Sequence, residues 1–360
     1  MRGFFSLVLC VSMLLMSVPF AGATDGSEAD TVLNESAMDA YVQSVLPHYL
    51  SLENDNVYGE IAVSQGYVVH GHNDPNARTY FVTDDGDYIA NLFVTYINGQ
   101  YSSNFGFDDN ADVDAALSGG TPMALVAESE MLILQTAAGN ALLTEGDSGA
   151  LLSRSIAAYP RVVPLMQETS IKNSDVTAAK HVSTRSEDFS VGLNVPYVAN
   201  DYYLIDPTKP DTLSNRKYLC WAASVAMICQ YRTGVSYTAM NIYNAMVNLY
   251  GGTPVGENIW YTRAYSHCGM TATHVSSAMN ATAAYVQMDT YDKPIIVRMI
   301  NGNVKHAIVL RYISKSGTSL TYGFRDPNYN SLRYGTGTTG GSFSYNGGSI
   351  TYTTWYASVY

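Results

Sequence analysis

Leu219-Cys220-Trp221-Ala222-Ala223-Ser224-Val225-Ala226-Met227-Ile228-Cys229-Gln230-Tyr231 runs without a Gly, a Pro or a charge, and Gly234 follows three residues later. A stretch this apolar around its whole circumference is a helix only if it is buried on all sides, and a Gly just past the last turn is a common C-terminal stop. The stretch therefore predicts a buried helix whose first turn holds Cys220, at the point where the loop 211–219 turns into it. A sulfur there lies among unpaired backbone N–H groups at the positive end of the helix dipole, a setting that favours thiolate. The same N–H groups can hold the oxyanion of an acyl intermediate. Ala222, Ala223 and Ser224 are small enough to let the helix pass close to a facing sheet.

Downstream of this helix the pattern is more helix first and sheet afterwards. Residues 236–250 and 274–279 predict two further helices, while 294–299, 306–313, 319–325 and the Gly-punctuated tail to Tyr360 predict strands. His306 opens the apolar run His306-Ala307-Ile308-Val309-Leu310 after the turn Asn301-Gly302-Asn303. Asp326 comes directly after the next strand, in Gly323-Phe324-Arg325-Asp326-Pro327, so two neighbouring strands bring a carboxylate against the imidazole. Such a carboxylate fixes the tautomer and orientation of a general base. A nucleophilic Cys220, a base His306 and an orienting Asp326 are the expected catalytic set.

The Cys-Trp-Ala-Ala helix start, the Pro-Ile-Ile-Val strand leading to His-Ala-Ile-Val-Leu, the later Asp-Pro and the closing Trp355-Tyr356-Ala357-Ser358-Val359-Tyr360 resemble the secreted bacterial papain-like cysteine peptidases, the staphopain-like branch in particular. The 86-residue spacing from Cys220 to His306 (306 − 220) fits that compact branch better than the roughly 130–150 residues of papain and the cathepsins. The resemblance covers about 190–360 and implies an α+β fold: a papain-like catalytic domain, with its N-terminal helix packed on an antiparallel sheet or half-barrel, preceded by a β-rich pro-domain. Two positions depart from the family. Its oxyanion-donating Gln stands six residues before the cysteine, where this chain has Ser214 followed by Asn215, so Asn215 is the substitute candidate. Staphopains have Asn where this chain has Asp326, and a carboxylate there stabilises the imidazolium further.

The upstream half reads differently. Residues 1–23 carry Arg2, an apolar run from Phe4 to Phe20 and Ala21-Gly22-Ala23, the layout of a cleavable secretion signal ending near Thr24. A helix is expected over 37–52, then a β-meander over 80–83, 88–97 and 100–105, a brief helix at 112–117, and short strands at 123–128, 131–136 and 141–144. Between 167 and 189 the apolar period disappears and polar residues dominate, which reads as a linker with a processing site. The 360 residues exceed the roughly 250 at which single cores stop growing. The expected organisation is thus 1–23 signal, 24–166 β-rich pro-domain, 167–189 linker and 190–360 peptidase.

Composition narrows the function. Asp plus Glu number 31 against 19 Lys plus Arg, without basic stripes, which argues against nucleic acid or an anionic membrane as partner. No segment after the signal is long and apolar enough to span a bilayer. Once Cys10 leaves with the signal, Cys220, Cys229 and Cys268 remain, an odd number that in an oxidising compartment implies a free reactive thiol or an intermolecular link. Nine helical residues put Cys229 roughly 13 Å along the axis from Cys220, beyond disulfide reach. Cys229 is then either buried and inert or joined to Cys268.

Three other motifs carry less. Gly146-Asp147-Ser148-Gly149-Ala150 matches the surroundings of a trypsin-like serine, but no upstream His has the right context and too little chain precedes it, so a tight turn is expected. His70-Gly71-His72 lacks a third metal ligand and reads as a solvated turn. The series Asp108, Asn110, Asp112, Asp114 fails as a calcium loop, having Val113 where Gly is required and Gly119 where Glu is. The sequence therefore predicts a secreted, monomeric cysteine endopeptidase made as a zymogen, acting on protein or peptide substrates and restrained by its own pro-domain, with no metal and no cofactor. The alternatives are a transglutaminase-like acyltransferase with the same Cys-His-Asp set, or a non-catalytic adhesion protein.

Overall fold

The computed structural model describes residues 35–52, 57–97, 100–108, 110–128, 131–143, 158–169, 188–212, 215–338, 345–346, 351–352 and 354–360. Residues 34–360 form one compact unit. Its apolar cores include the following two. One gathers residues 193–359 around Ala222, Ala226, Ile296, Ile308 and Leu310, and the other gathers 67–143 around Phe81, Val113, Leu125 and Leu134.

The predicted helix is present as Cys220–Thr233, and every residue from Trp221 to Cys229 is buried. It ends at Gly234, whose φ of 74° only a Gly adopts freely and whose N–H donates to Gln230 O (2.9 Å). The next helix, Ala239–Tyr250, starts three residues later than its apolar pattern suggests. Thr238 sets the start through a capping box with Asn241, each side chain taking the other's backbone N–H (3.0 and 3.1 Å).

One expectation is corrected. Residues 274–279 are not a helix: His274–Val275 is a short strand paired with Val359 and Ser358. Thr273 and Tyr360 extend the ladder by exchanging both backbone hydrogen bonds (2.8 and 3.1 Å). A helix does follow, Ala281–Asp289, because Asn280 accepts the Ala283 N–H (2.8 Å) and caps it. A further helix, Asn258–His267, has too weak an apolar period to be read in advance.

Most of the strands join into one sheet that crosses both halves of the chain, and two short two-stranded ladders stand apart from it. From one edge it runs His274–Val275, Thr354–Val359, Ile295–Asn301, Val304–Ser316, Ser319–Arg325, Leu332–Thr338, then Gln100–Phe107, Asp87–Ile97, Arg78–Asp84, Tyr67–His70, Ala124–Glu128, Met131–Gln135 and Asn140–Leu142. Neighbours in this order are antiparallel except Tyr67–His70 beside Ala124–Glu128, which are parallel. The expected meander is there, with Asp85 (φ 51°) and Gly86 (φ 93°) forming its two-residue turn. The seam between the halves is the pairing of Arg333, Tyr334 and Gly335 with Gly106, Phe105 and Asn104. Arg333, 1% exposed, reaches across it to donate to Asn91 Oδ1 (2.7 Å). A Cβ on Gly106 would stand 2.0 Å from the Arg333 Nη1. The helix Glu35–Leu50 adds a second bridge, His48 Nε2 to Thr321 Oγ1 (2.7 Å).

Candidate active site

Cys220 owes its position to the residues on either side of it. Before it, Arg216–Tyr218 pairs with Tyr202–Leu204, and the Leu219 N–H donates to Asp201 O (2.8 Å). Leu219 O then accepts from both Ala222 N and Ala223 N (2.9 Å each), which starts the helix without a side-chain cap. After it, Ser224 donates its hydroxyl to Ala307 O (3.1 Å), both residues being buried. Residues four apart share a helix face, so this one bond turns the Cys220 face toward the strand Val304–Ser316 at the residue next to His306. Cys220 is half-buried, whereas Trp221 to Cys229 after it are buried.

His306 and Asp326 stand on the adjacent strand and just beyond the next one, in the register that pairs Val309 with Arg325. They are 2% and 0% exposed, and the His306 Nε2–H donates to Asp326 Oδ1 (2.9 Å). Asp326 Oδ1 also accepts the Asn328 N–H (2.8 Å), and Oδ2 accepts the Tyr345 hydroxyl (2.6 Å). The Tyr352 ring stacks on the imidazole, centroids 5.4 Å apart and planes 20° from parallel.

Burial by itself would push the His306 imidazole toward neutrality. The Asp326 carboxylate overrides it, Cys220 adds to the effect, and His306 is held well above the ordinary histidine range. Burial would likewise raise Asp326, but His306, Tyr345 and the Asn328 N–H together hold it below the usual carboxylate range. The pair is therefore an imidazolium facing a carboxylate. The remaining ring nitrogen, His306 Nδ1, is buried with no hydrogen-bond partner among the described residues, and Cys220 is close enough to help hold the imidazole protonated. The three side chains come together from one helix and two strands.

Asn215 is not free to serve as the fourth. Its Nδ2 donates to Asp206 O (2.9 Å) and Pro210 O (3.1 Å), and its Oδ1 accepts the Asp206 N–H (2.9 Å). Both amide hydrogens are spent closing the loop 206–215, which corrects the expected oxyanion role. Ser214 lies outside the described residues.

Several participants had no signal in the sequence. Tyr345 and Tyr352 sit among 29 tyrosines, and only their pairing across the short ladder Tyr345–Asn346 with Thr351–Tyr352 places one on each member of the His–Asp pair. Tyr261 and Tyr356 flank the buried Arg298 guanidinium (5.2 and 5.0 Å to the ring centroids). Both have hydroxyls raised mainly by burial, with Cys220 contributing. Arg298 is anchored to Asn258 Oδ1 and to Gly256 O (2.7 Å).

Among the described residues the other cysteines, Cys229 and Cys268, are free. Cys229 and Cys268 are buried against one another, and burial first, then Cys229, pushes the Cys268 thiol far up. Among the secondary motifs, Asn110 caps the helix Ala111–Ser118 and Asp114 accepts the Tyr88 N–H (3.0 Å), which accounts for the acidic series without calcium. His70-Gly71-His72 is more than a solvated turn: His70 stacks on Tyr159 (4.5 Å), and His72 Nε2 reaches Thr351 Oγ1 (3.3 Å). Residues 146–150 lie outside the described residues. Among the described residues no cluster of His, Cys, Asp and Glu could hold a metal, and no helix is long and apolar enough to cross a membrane.

Residues 204–339 match the family model described as papain-like cysteine protease AvrRpt2. That range contains Cys220, His306 and Asp326 and begins after the N-terminal half. No curated protein matches the chain.

Proposed function

Taking the chain as a papain-like cysteine peptidase, we propose that Cys220 is its nucleophile, His306 its general base and acid, and Asp326 the group that orients and charges the imidazole. The observation that carries this is the buried His306–Asp326 pair with its second nitrogen left to Cys220. The Cys220 sulfur attacks the peptide carbonyl and its oxygen becomes an oxyanion against the helix-start N–H groups. His306 gives its proton to the leaving amine, and the amine departs. His306 then takes a proton from water, which attacks the thioester and frees the acid and the Cys220 thiolate.

The enzyme is a secreted, staphopain-like endopeptidase acting on proteins or peptides as a monomer. It is made as a precursor whose residues 24–166 govern the peptidase of 190–360 and which is cut within 167–189. Domain order and the sequence resemblance support this organisation. An epoxide probe for cysteine peptidases is expected to label the processed protein and to fail on Cys220→Ala. Absence of labelling on correctly folded, unaltered protein overturns the assignment. Product analysis with added primary amine separates hydrolysis from acyl transfer. A separately made 24–189 that neither inhibits nor assists refolding of 190–360 removes the precursor model.

A further inference from the structure

Thr351, 1% exposed, has its polar groups held by two distant segments. Its N–H donates to Asn73 Oδ1 (3.0 Å), its hydroxyl lies 3.3 Å from His72 Nε2, and its carbonyl accepts from Asn301 Nδ2 (2.7 Å). Asn301 ends the strand Ile295–Asn301, whose hairpin leads to His306. His72 and Asn73 belong to a loop of the N-terminal half that is itself held tightly. The Asp74 N–H meets His72 Nδ1 (3.0 Å), Asp74 Oδ1 accepts the Asn76 N–H (2.9 Å), and the His72 ring packs on Phe93 (5.2 Å).

The residue after Thr351 is Tyr352, whose ring covers His306, and across the ladder stands Tyr345, whose hydroxyl holds Asp326. Two other side-chain bridges join the halves among the described residues, His48 to Thr321 and Asn91 to Arg333, and the strand Tyr345–Asn346 itself lies against Gln100–Phe107. Through Thr351 the N-terminal half has a grip that ends, one residue further on, at the base.

We infer that Asn73, with His72, is a positioning residue for His306 and Asp326: the N-terminal half seats the Tyr345–Tyr352 ladder on the pair through Thr351, and so assembles the base rather than plugging the cleft. The inference rests on His306 being the base. Its consequence is that chain lacking the N-terminal half has a looser imidazolium and slower chemistry, with substrate binding unchanged. The charged and titratable groups that act on His306 are Asp326 and Cys220, those that act on Asp326 are His306 and Tyr345, and those that act on Tyr345 are Asp326, Arg333 and Tyr329.

The test uses the full chain and two readouts across pH: the rate of Cys220 alkylation by iodoacetamide, and kcat and KM on a denatured-protein or peptide substrate. Asn73→Ala is expected to lower kcat about three- to tenfold, the worth of one hydrogen bond. KM should stay unchanged, and the alkaline limb of alkylation should move to lower pH. Asn73→Asp keeps an acceptor and restores both. Tyr352→Leu reproduces the effect, and adding Asn73→Ala to it changes little further. Thr321→Val, which cuts the His48 bridge, moves neither readout. A folded Asn73→Ala with unaltered kcat and alkaline limb, or an equal effect of Thr321→Val, overturns the inference. If Asn73→Ala does not fold, the Asn73→Asp and Tyr352→Leu comparison decides it: an unshifted limb in Tyr352→Leu is a refutation. Failure of the base assignment looks different, since His306→Ala would then leave the alkylation profile of the unaltered chain in place.

Discussion

Replacing Asp326 by Asn and by Ala separates what its charge does from what its shape does. The carboxylate has no exposure and takes three donors, two on Oδ1 and one on Oδ2. Asn keeps the volume and keeps an oxygen for His306 and Asn328, and Tyr345 can turn its hydroxyl to accept from the new amide. What is lost is the charge in the bond to His306. A hydrogen bond to an ion contributes about 1.5–3 kcal/mol against about 0.5–1.5 for a neutral one. Asp326→Asn should therefore cost about 1–1.5 kcal/mol and roughly tenfold in the protonated imidazole. Ala strands three buried donors and should cost about 3–5 kcal/mol, as removal of one partner from a buried pair does.

The pH dependence has a definite sign. His306 is raised in the fold, so its share of stability is complete below the ordinary histidine range and is lost as pH rises through its elevated folded value. Asp326 is lowered, so its share is present above the ordinary carboxylate range and is lost as pH falls through its depressed folded value. The stability gap between unaltered protein and Asp326→Asn should be widest between those limits and close on either side. Urea unfolding across pH reads the gap, and Cys220 alkylation reads the alkaline limb, which should move down in Asp326→Asn because the main charge that offsets burial of His306 is gone and only Cys220 still opposes it. Equal behaviour of Asn and Ala, or an alkaline limb that stays in place, would refute the ion-pair account.

Other outcomes are expected. Gly106→Ala should lose about 1–3 kcal/mol by overpacking, since Arg333 is fully buried and cannot move away from a Cβ at 2.0 Å; a Tm unchanged from the parent would show that Arg333 has room. Alkylation mapped by mass spectrometry should find Cys220 modified in the native protein and Cys229 and Cys268 only after denaturation, because those two are buried and the Cys268 thiol is pushed up. Early modification of Cys268 would contradict its environment. Cys220→Ala should remain folded with its Tm close to the parent's while losing hydrolysis, because Cys220 is only half-buried.

The helix Cys220–Thr233 and the strands that carry His306 and Asp326 were legible because their signals are local: an unbroken apolar run, a Gly stop, turns between β-branched segments. The same locality explains what was missed. Residues 274–279 look helical only until a strand more than 80 residues away pairs with His274. Asn215 looked like an amide donor near a cysteine, and only the closed loop 206–215 reveals that its hydrogens are already committed. Tyr345 and Tyr352 have a role that depends on which sheet face the tail returns to, a long-range matter that period and composition do not encode.

The seam at Arg333–Gly335 carries one more consequence. Strand Leu332–Thr338 is an interior strand only because Gln100–Phe107 lies beside it. Take the N-terminal half away and it becomes an open edge, with a row of unmatched amides and carbonyls and the formerly enclosed Arg333 and Tyr334 turned to water. Such an edge is adhesive. Residues 190–360 made alone would seek another strand to lie against it, from a second copy or from an extended polypeptide, so their solubility depends on what takes the vacated place.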